Sequence, residues 1–289
     1  MTLGRPRHLP QPLRTLLLSL FLFSLVATPL QAQDPPFPFA KGQRALVLVP
    51  LGLGMSLLGE ALAEGFDPLT PEAIRALDPA EVNPFDRTAT NNWSPAWAQR
   101  SDRSLMLLMG ATIILVGGEA AHSSMGGRGP ESAILMTMLG EATLFTLGAT
   151  YMTKGMAGRR RPYVFNPALS VEERFHIAQV EGDDLFRSFF SGHTSAAFAL
   201  ASFSSTVFTE IHGQSVWSNL IWGSTLSAAA YTGYARVKAG MHYPSDVLVG
   251  ALVGSAIGYL VPRLHRKDAD EELDPAAGAI QLGLRIRFD

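Results

Sequence analysis

Three short polar blocks in the second half of the chain contain the residue types that phosphoryl chemistry requires. A site that hydrolyses a phosphate monoester without a metal needs cations and amide donors around the phosphate oxygens, a nucleophile for phosphorus, and an acid for the leaving oxygen. In chain order, the residues of the three blocks are Lys154 and Arg161, then Ser191, Gly192 and His193, then Arg236, His242 and Asp246. Chance would rarely produce this order and spacing, so the blocks predict a phosphate site.

Five of these residues are assigned to phosphate binding. Arg161 and Arg236 can each donate two parallel hydrogen bonds to phosphate oxygens, whereas Lys154 supplies a compact positive charge. Ser191 can donate its hydroxyl proton. Amides near Gly192 at a helix start can face the anion, because glycine has no side chain to block the approach.

The other three residues are assigned to catalysis. His242 is the predicted nucleophile, and Asp246, four residues later, is expected to hold one of its ring nitrogens protonated and to aim the other at phosphorus. His193 then protonates the leaving oxygen, and water releases the phosphohistidine.

Polar residues outside the three blocks are not assigned to the phosphate site. Arg159 and Arg160 are expected in a solvated turn, with attraction of an anionic headgroup as the alternative. The acidic stretch 172–184 is expected to cover the edge of the site. The histidines outside the blocks, which we expect to face solvent, are His122, His176, His212 and His265.

The sequence also bears on metals and cofactors. It contains no cysteine, no His-Glu-X-X-His motif, no glycine-rich nucleotide loop and no carboxylate cluster. We therefore predict no metal ligands and no cofactor. Vanadate, which resembles phosphate, is expected to act as an inhibitor.

Together the blocks resemble the type 2 phosphatidic acid phosphatase superfamily, which also includes bacterial non-specific acid phosphatases and vanadium haloperoxidases. The family pattern is Lys, six residues, Arg-Pro; then Pro-Ser-Gly-His; then Ser-Arg, five residues, His, three residues, Asp. This chain departs from it at Phe190, which replaces proline, and at Ala235, which replaces serine. The resemblance implies a helical bundle and the residue roles given above. Both departures concern the geometry of the loops.

Composition narrows the class of protein. The chain has 289 residues, with 23 basic and 25 acidic side chains and a net charge of -2, which argues against a nucleic-acid partner. Hydrophobic residues make up 47% of the chain. The mean hydropathy of +0.16 is high for a soluble protein and low for one that spans a membrane many times.

Four regions are predicted along the chain. Residues 1–32 form a signal peptide or N-terminal anchor, and residues 33–103 form a Pro-rich linker and accessory region. Residues 104–264 form an all-α helical bundle, predicted to be transmembrane. Residues 265–289 form a polar tail, in which alternating residues from Ile280 to Phe288 could make a short terminal strand.

The expected location is the cell envelope. Arg263, His265, Arg266 and Lys267 follow the last apolar segment, which indicates a cytoplasmic end. With segment 44–62 not spanning, the three blocks fall on the periplasmic side of the inner membrane. The alternatives are a cytoplasmic site, if that segment spans after an exported N-terminus, and a soluble periplasmic bundle.

The leading functional hypothesis is a phosphatase acting on lipid phosphates, of the phosphatidate or isoprenyl pyrophosphate type. The alternatives are a soluble non-specific acid phosphatase, a vanadate-dependent haloperoxidase, in which vanadate is the cofactor, and a degenerate bundle that only binds phosphate. Specificity is expected to reside in loops 67–103 and 166–187.

Overall fold

A computed structural model describes residues 36–37, 45–63, 66–127 and 129–267. Over these residues the chain is helical and contains no β-strand, which confirms the prediction of an all-α fold. The predicted signal or anchor and the predicted terminal strand lie outside the described residues. The α-helices are α1 Ala45–Ala63, α2 Pro71–Arg75, α3 Pro95–Met125, α4 Gly129–Ala157, α5 Val171–Glu181, α6 Gly192–His212, α7 Val216–Lys238 and α8 Pro244–Leu264.

Short 3₁₀ segments connect several of these helices. Their bounds are Pro79–Glu81, Arg87–Asn91, Pro162–Phe165 and Gly182–Phe186.

Capping residues explain where the helices begin. The hydroxyl of Thr70 accepts the amide proton of Ala73 at 3.2 Å and starts α2, as the Thr-Pro-Glu sequence predicts. Helix α3 starts at Pro95 rather than at the predicted Ser104, because Ser94 caps it in the same way. The first two turns of α3 therefore come from the region predicted to be accessory.

Helices α1 and α4 run parallel and cross at glycines. A Cβ on Gly52 would lie 2.8 Å from the Leu144 carbonyl, and a Cβ on Gly148 would lie 2.3 Å from the Gly52 oxygen. The contact repeats one heptad later, between Gly59 and Gly155. Residues 45–62 of the segment that was expected not to span therefore pack along α4 as a helix.

Gly59→Ala is expected to destabilise the fold by about 1–3 kcal/mol, because overpacking forces the backbones apart. Its Cβ would lie 2.2 Å from the carbonyl carbon of Tyr151. The matched control is Gly54→Ala on the same helix, where a Cβ meets nothing within 4 Å. Thermal unfolding in detergent measures the difference, and equal melting temperatures for the two variants would rule out this packing.

The predicted motif residues lie at one end of the bundle, which we call the motif end. Helices α3, α6 and α8 begin there, and α1, α4 and α7 end there. The amide of Ser94 donates to Ala239 across the start of α3 and the end of α7 (3.3 Å), and the amide of Ser191 donates to Asp246 across the starts of α6 and α8 (3.1 Å). At the opposite, far end, Glu119 of α3 pairs with His212 of α6 (2.7 Å).

Two histidines expected in solvent are held at the far end. His265 is completely buried, with Nδ1 donating to the Val261 carbonyl (2.9 Å) and Nε2 3.3 Å from the buried Glu141. His212 is half-buried by its pair with Glu119. The prediction for these two was wrong because their partners lie on helices distant in sequence.

Within the part of the chain that the structure describes, four helical segments are long and apolar enough to cross a membrane. Several large apolar side chains on their outer faces are exposed, as expected of surfaces that contact lipid. Examples are Leu46 and Leu57 on α1, Met106 and Leu107 on α3, and Leu252 on α8. The four segments are Leu46–Ala63, Pro95–Met125, Ser132–Phe165 and Pro244–Leu264.

Candidate active site

The first block lies where α4 ends. Lys154 is in the last turn of α4, and Gly158 then takes φ +53°, a left-handed conformation that turns the chain away from the helix axis. Arg161 follows in an extended conformation, with its amide donating to the Leu185 carbonyl (2.9 Å), and Pro162 begins a 3₁₀ helix. This transition from helix to loop brings Arg161 back toward the bundle.

The second block starts α6. The Ser191 hydroxyl oxygen accepts from the Thr194 hydroxyl (2.8 Å) and the Thr194 amide (3.4 Å), so its own proton remains available to an anion. A Cβ on Gly192 would lie 3.0 Å from Thr150 Cγ2 and 3.7 Å from Lys154 Nζ. Glycine therefore permits the close approach of Lys154 to the positive end of a helix.

Cationic groups with unused donors surround this position. Arg161 and Arg236 are buried, and the Nε atom of each has no hydrogen-bond partner among the described residues. Within the same part of the chain, no carboxylate lies within ion-pair distance of Lys154. Buried donors without partners are costly, and an anion between them would satisfy them.

Two carboxylates of the acidic stretch 172–184 bind the guanidinium of Arg161. Its guanidinium pairs with Glu181 at 2.6 Å and with Asp184 at 3.5 Å. These carboxylates therefore do more than cover the edge of the site. They orient one side of the guanidinium, while Nε remains without a partner.

His242 is buried, and its ring orientation is set by a backbone carbonyl. Nδ1 lies 2.7 Å from the Ser188 oxygen, and since a carbonyl can only accept, Nδ1 carries the proton. The neutral ring therefore has its lone pair on Nε2. Burial, followed by the charges of Arg236, Arg161 and Lys154, lowers the pKa of His242 well below its ordinary value, which favours this neutral form.

Asp246 lies close to His242 but makes its shortest contacts elsewhere. Its Oδ2 is 3.6 Å from Nδ1 of His242, whereas it accepts from the Ser188 hydroxyl at 2.6 Å and from the Tyr243 amide at 2.9 Å. The carboxylate thus fixes the residue whose carbonyl orients His242. Sequence reasoning missed Ser188, which is one of several serines without a distinguishing motif.

Arg159 is a structural cation and not a residue of a solvated turn. It bridges Asp246 and the buried Asp86, 2.8 Å from the latter, and its guanidinium lies 4.0 Å above the Tyr243 ring. Asp86 also accepts from the amide and hydroxyl of Ser245 (2.9 and 2.6 Å), and these contacts hold its pKa below the usual value even though burial raises it. Through Asp86, segment 67–103 is therefore held against Arg159 and the start of α8.

His193, the predicted acid, lies at the start of α6 and is partly exposed. Its Nε2 is 3.0 Å from Asp102 of α3, a residue that sequence reasoning did not select. The two departures from the family pattern are both buried. The peptide bond before Phe190 is cis, and Ala235 lies within α7.

A cleft of about 560 Å³ adjoins this region without containing it. It is lined by Arg159 and Tyr243 together with the rings of Phe66, Phe165 and Phe186, and by none of the eight predicted site residues. Among the described residues, no group of three or more His, Asp or Glu side chains could hold a metal ion.

Comparison with known proteins agrees with the geometry. Residues 134–270 match the family model of the PAP2 superfamily, and this stretch includes all eight predicted site residues. This part of the chain is therefore similar to the PAP2 superfamily.

One curated relative is the "Probable diacylglycerol pyrophosphate phosphatase 1" of Schizosaccharomyces pombe. It is 40% identical over 97 residues, which cover 30% of this chain and 35% of that protein. The match thus spans about a third of the relative's length. No solved structure matches the chain.

Proposed function

We propose that the chain is a phosphatase that hydrolyses lipid phosphates, of the phosphatidate or isoprenyl pyrophosphate type, through a phosphohistidine at His242. The observation that carries the proposal is the environment of His242. Its neutral ring has its lone pair on Nε2, and the charges of Arg236, Arg161 and Lys154 act on it. Among the described residues, Nε of each of the two arginines has no hydrogen-bond partner.

The reaction follows from these positions. The three cations, the Ser191 hydroxyl and amides at the start of α6 bind the phosphate oxygens and stabilise the charge of the transition state. Nε2 of His242 attacks phosphorus as the bond to the ester oxygen breaks, and His193 gives that oxygen a proton. Water then attacks phosphorus and gives a proton back to His193. Inorganic phosphate leaves and His242 is neutral again.

The proposal requires no cofactor, because fixed cations do the work that a metal does elsewhere. Vanadate binds as an analogue of the five-coordinate transition state and inhibits.

A lipid substrate is supported by the apolar surface beside the site. The motif end is where α1, α3, α4 and α8, the helices apolar enough to cross a membrane, begin or end. A phosphate headgroup at the membrane surface would reach the site while its apolar chains remained in the lipid. The name of the relative from Schizosaccharomyces pombe includes diacylglycerol pyrophosphate, which agrees with this class of substrate.

The test is phosphate release by the detergent-purified full chain from a panel of lipid and soluble phosphates. We expect vanadate-sensitive release, faster from the lipid phosphates. Faster release from soluble phosphates would support a broad acid phosphatase instead. Bromide oxidation with vanadate and peroxide, without phosphate release, would support a haloperoxidase. No activity on any substrate would support a degenerate bundle.

We also propose that the motif end faces the periplasm, because Arg263, Arg266 and Lys267 mark the far end as cytoplasmic. The chain has no cysteine, so single cysteines can be placed at the exposed Glu172, near the motif end, and at the exposed Gln214, at the far end. A membrane-impermeant maleimide should label Glu172→Cys in intact cells and Gln214→Cys only after lysis. Labelling of Gln214→Cys in intact cells and of Glu172→Cys only after lysis would put the site in the cytoplasm. That result is expected if a cleaved export signal places the start of α1, and with it the far end, outside the cytoplasm.

A further inference from the structure

One carboxylate stands between the predicted acid and a predicted phosphate-binding cation. Oδ1 of Asp102 lies 3.0 Å from His193 Nε2 and 3.6 Å from an Arg236 nitrogen. Arg236 also donates to the neighbouring Ser101 (3.3 Å). Both α3 residues lie outside the stretch 134–270 that matches the PAP2 superfamily and in the region predicted to be a linker and accessory segment.

We propose that Asp102 is the positioning residue for His193, accepting the Nε2 proton so that Nδ1 holds the proton that goes to the leaving oxygen. This inference rests on the proposed phosphatase function. In the described part of the chain no group hydrogen-bonds to Nδ1, so that nitrogen remains available to a substrate. A carboxylate at Nε2 also stabilises the doubly protonated ring.

The remaining charges around His193 work against protonation. Burial has the largest effect, Arg236 of α7 is the largest lowering charge, and Lys154 of α4 follows it. The net pKa of His193, with Asp102 included, is about 4. His242 lies close by as well. Asp102 opposes this shift through both its charge and its hydrogen bond. Without that carboxylate the pKa of His193 would fall further, and the ring would be a still poorer carrier of the proton for the leaving oxygen.

The proton balance is simple. In the first step Nδ1–H passes to the ester oxygen as the P–O bond breaks, and the ring becomes neutral with Nε2–H still bound to Asp102. In the second step Nδ1 takes the proton of the attacking water, which restores the doubly protonated ring. Asp102 keeps its contact with Nε2 in both steps and takes no part in the bonds that form or break.

The test is Asp102→Asn, read with two substrates that differ in leaving group. An alkyl phosphate needs an acid, whereas p-nitrophenyl phosphate has a good leaving group and needs little help. We expect kcat/KM to fall about 10- to 100-fold for the alkyl ester and by less than about threefold for the aryl ester. The basic limb of the pH profile with the alkyl ester should also move to lower pH, because asparagine cannot stabilise the charged ring.

The matched control is Glu119→Gln. This carboxylate is on the same helix and pairs with His212 at 2.7 Å, but at the far end of the bundle. Its kinetics should equal those of the parent. Asp102→Glu keeps the negative charge and should restore most of the kcat/KM for the alkyl ester. If the asparagine variant does not fold, Asp102→Ser is measured with the same two substrates in its place. Equal losses with both substrates and an unmoved basic limb would overturn the proposal.

An independent readout separates this inference from the proposed function. Histidine NMR titration of the full chain in detergent, with His193→Gln to assign the signal, measures protonation without any turnover. The pKa of His193 should be lower in Asp102→Asn than in the parent. An inactive parent would refute the phosphatase proposal. An unchanged pKa would refute the role of Asp102.

Discussion

His242→Ala is expected to lower kcat/KM for phosphate release by about 10⁴-fold or more, the size of the loss when an enzyme loses its nucleophile or base. The ring is buried and its Nδ1 is held by the Ser188 carbonyl, so Nε2 is the atom presented to an anion among Lys154, Arg161 and Arg236. The assay is phosphate release from a short-chain lipid phosphate by the purified variant.

The control for this variant is His122→Ala, which removes an exposed imidazole from the last turn of α3, away from the motif end. It should leave kcat/KM unchanged. A folded His242→Ala protein that retained the parent's activity would mean that another group attacks phosphorus, and the proposed mechanism would be wrong.

Asp246→Ala is expected to affect both stability and activity. Its carboxylate is fully buried and accepts hydrogen bonds from Ser188, from Tyr243 and from Arg159. Removing one partner of a buried ion pair leaves the other charge uncompensated, which costs about 3–5 kcal/mol. Because Ser188 would lose its anchor, the ring of His242 would also lose its orientation and phosphate release should fall steeply.

Thermal unfolding in detergent and phosphate release, measured on the same preparation, test both effects. Asp67→Ala, at an exposed position, is the control for thermal unfolding and should leave the melting temperature unchanged. Asp246→Asn keeps the shape of the side chain and should lose less stability than the alanine variant. An alanine variant as stable as the parent would show that the bridge through Arg159 contributes nothing.

The motif residues could be predicted from the sequence because each block is local. The first two blocks each lie at one helix end and its adjoining loop, and the third runs from the end of α7 through a short loop into the first turn of α8. Side-chain type and spacing therefore describe each block completely. They meet at one end of the bundle because α4 and α7 end there and α6 and α8 begin there.

The supporting residues could not be predicted because their partners are remote. Asp86 binds Ser245, which lies 159 positions later in the chain, and Ser101 binds Arg236 over 135 positions. Asp102 and Arg159 belong to runs of charge that also fit a solvated surface. Only the packing of α3 and the segment before it against α7 and α8 distinguishes these residues from ordinary surface charges.

The helices were predictable in type and less so in extent. Apolar composition indicated each long helix, but the start of α3 depended on the cap at Ser94, and the path of α1 depended on glycine contacts with α4. In the sequence, close helix contacts of this kind are visible only as small residues such as glycine. Small residues are compatible with many packing arrangements, so they do not identify the partner helix.

Trapping the covalent intermediate tests the proposed mechanism most directly. The full chain is mixed with a ³²P-labelled lipid phosphate, quenched in alkali within milliseconds, and digested for mass spectrometry. We expect label that is stable to base and labile to acid on the peptide containing His242, and none on that peptide in His242→Ala. Turnover by the parent with no labelled histidine, or label on a different residue, would contradict a phosphohistidine at His242.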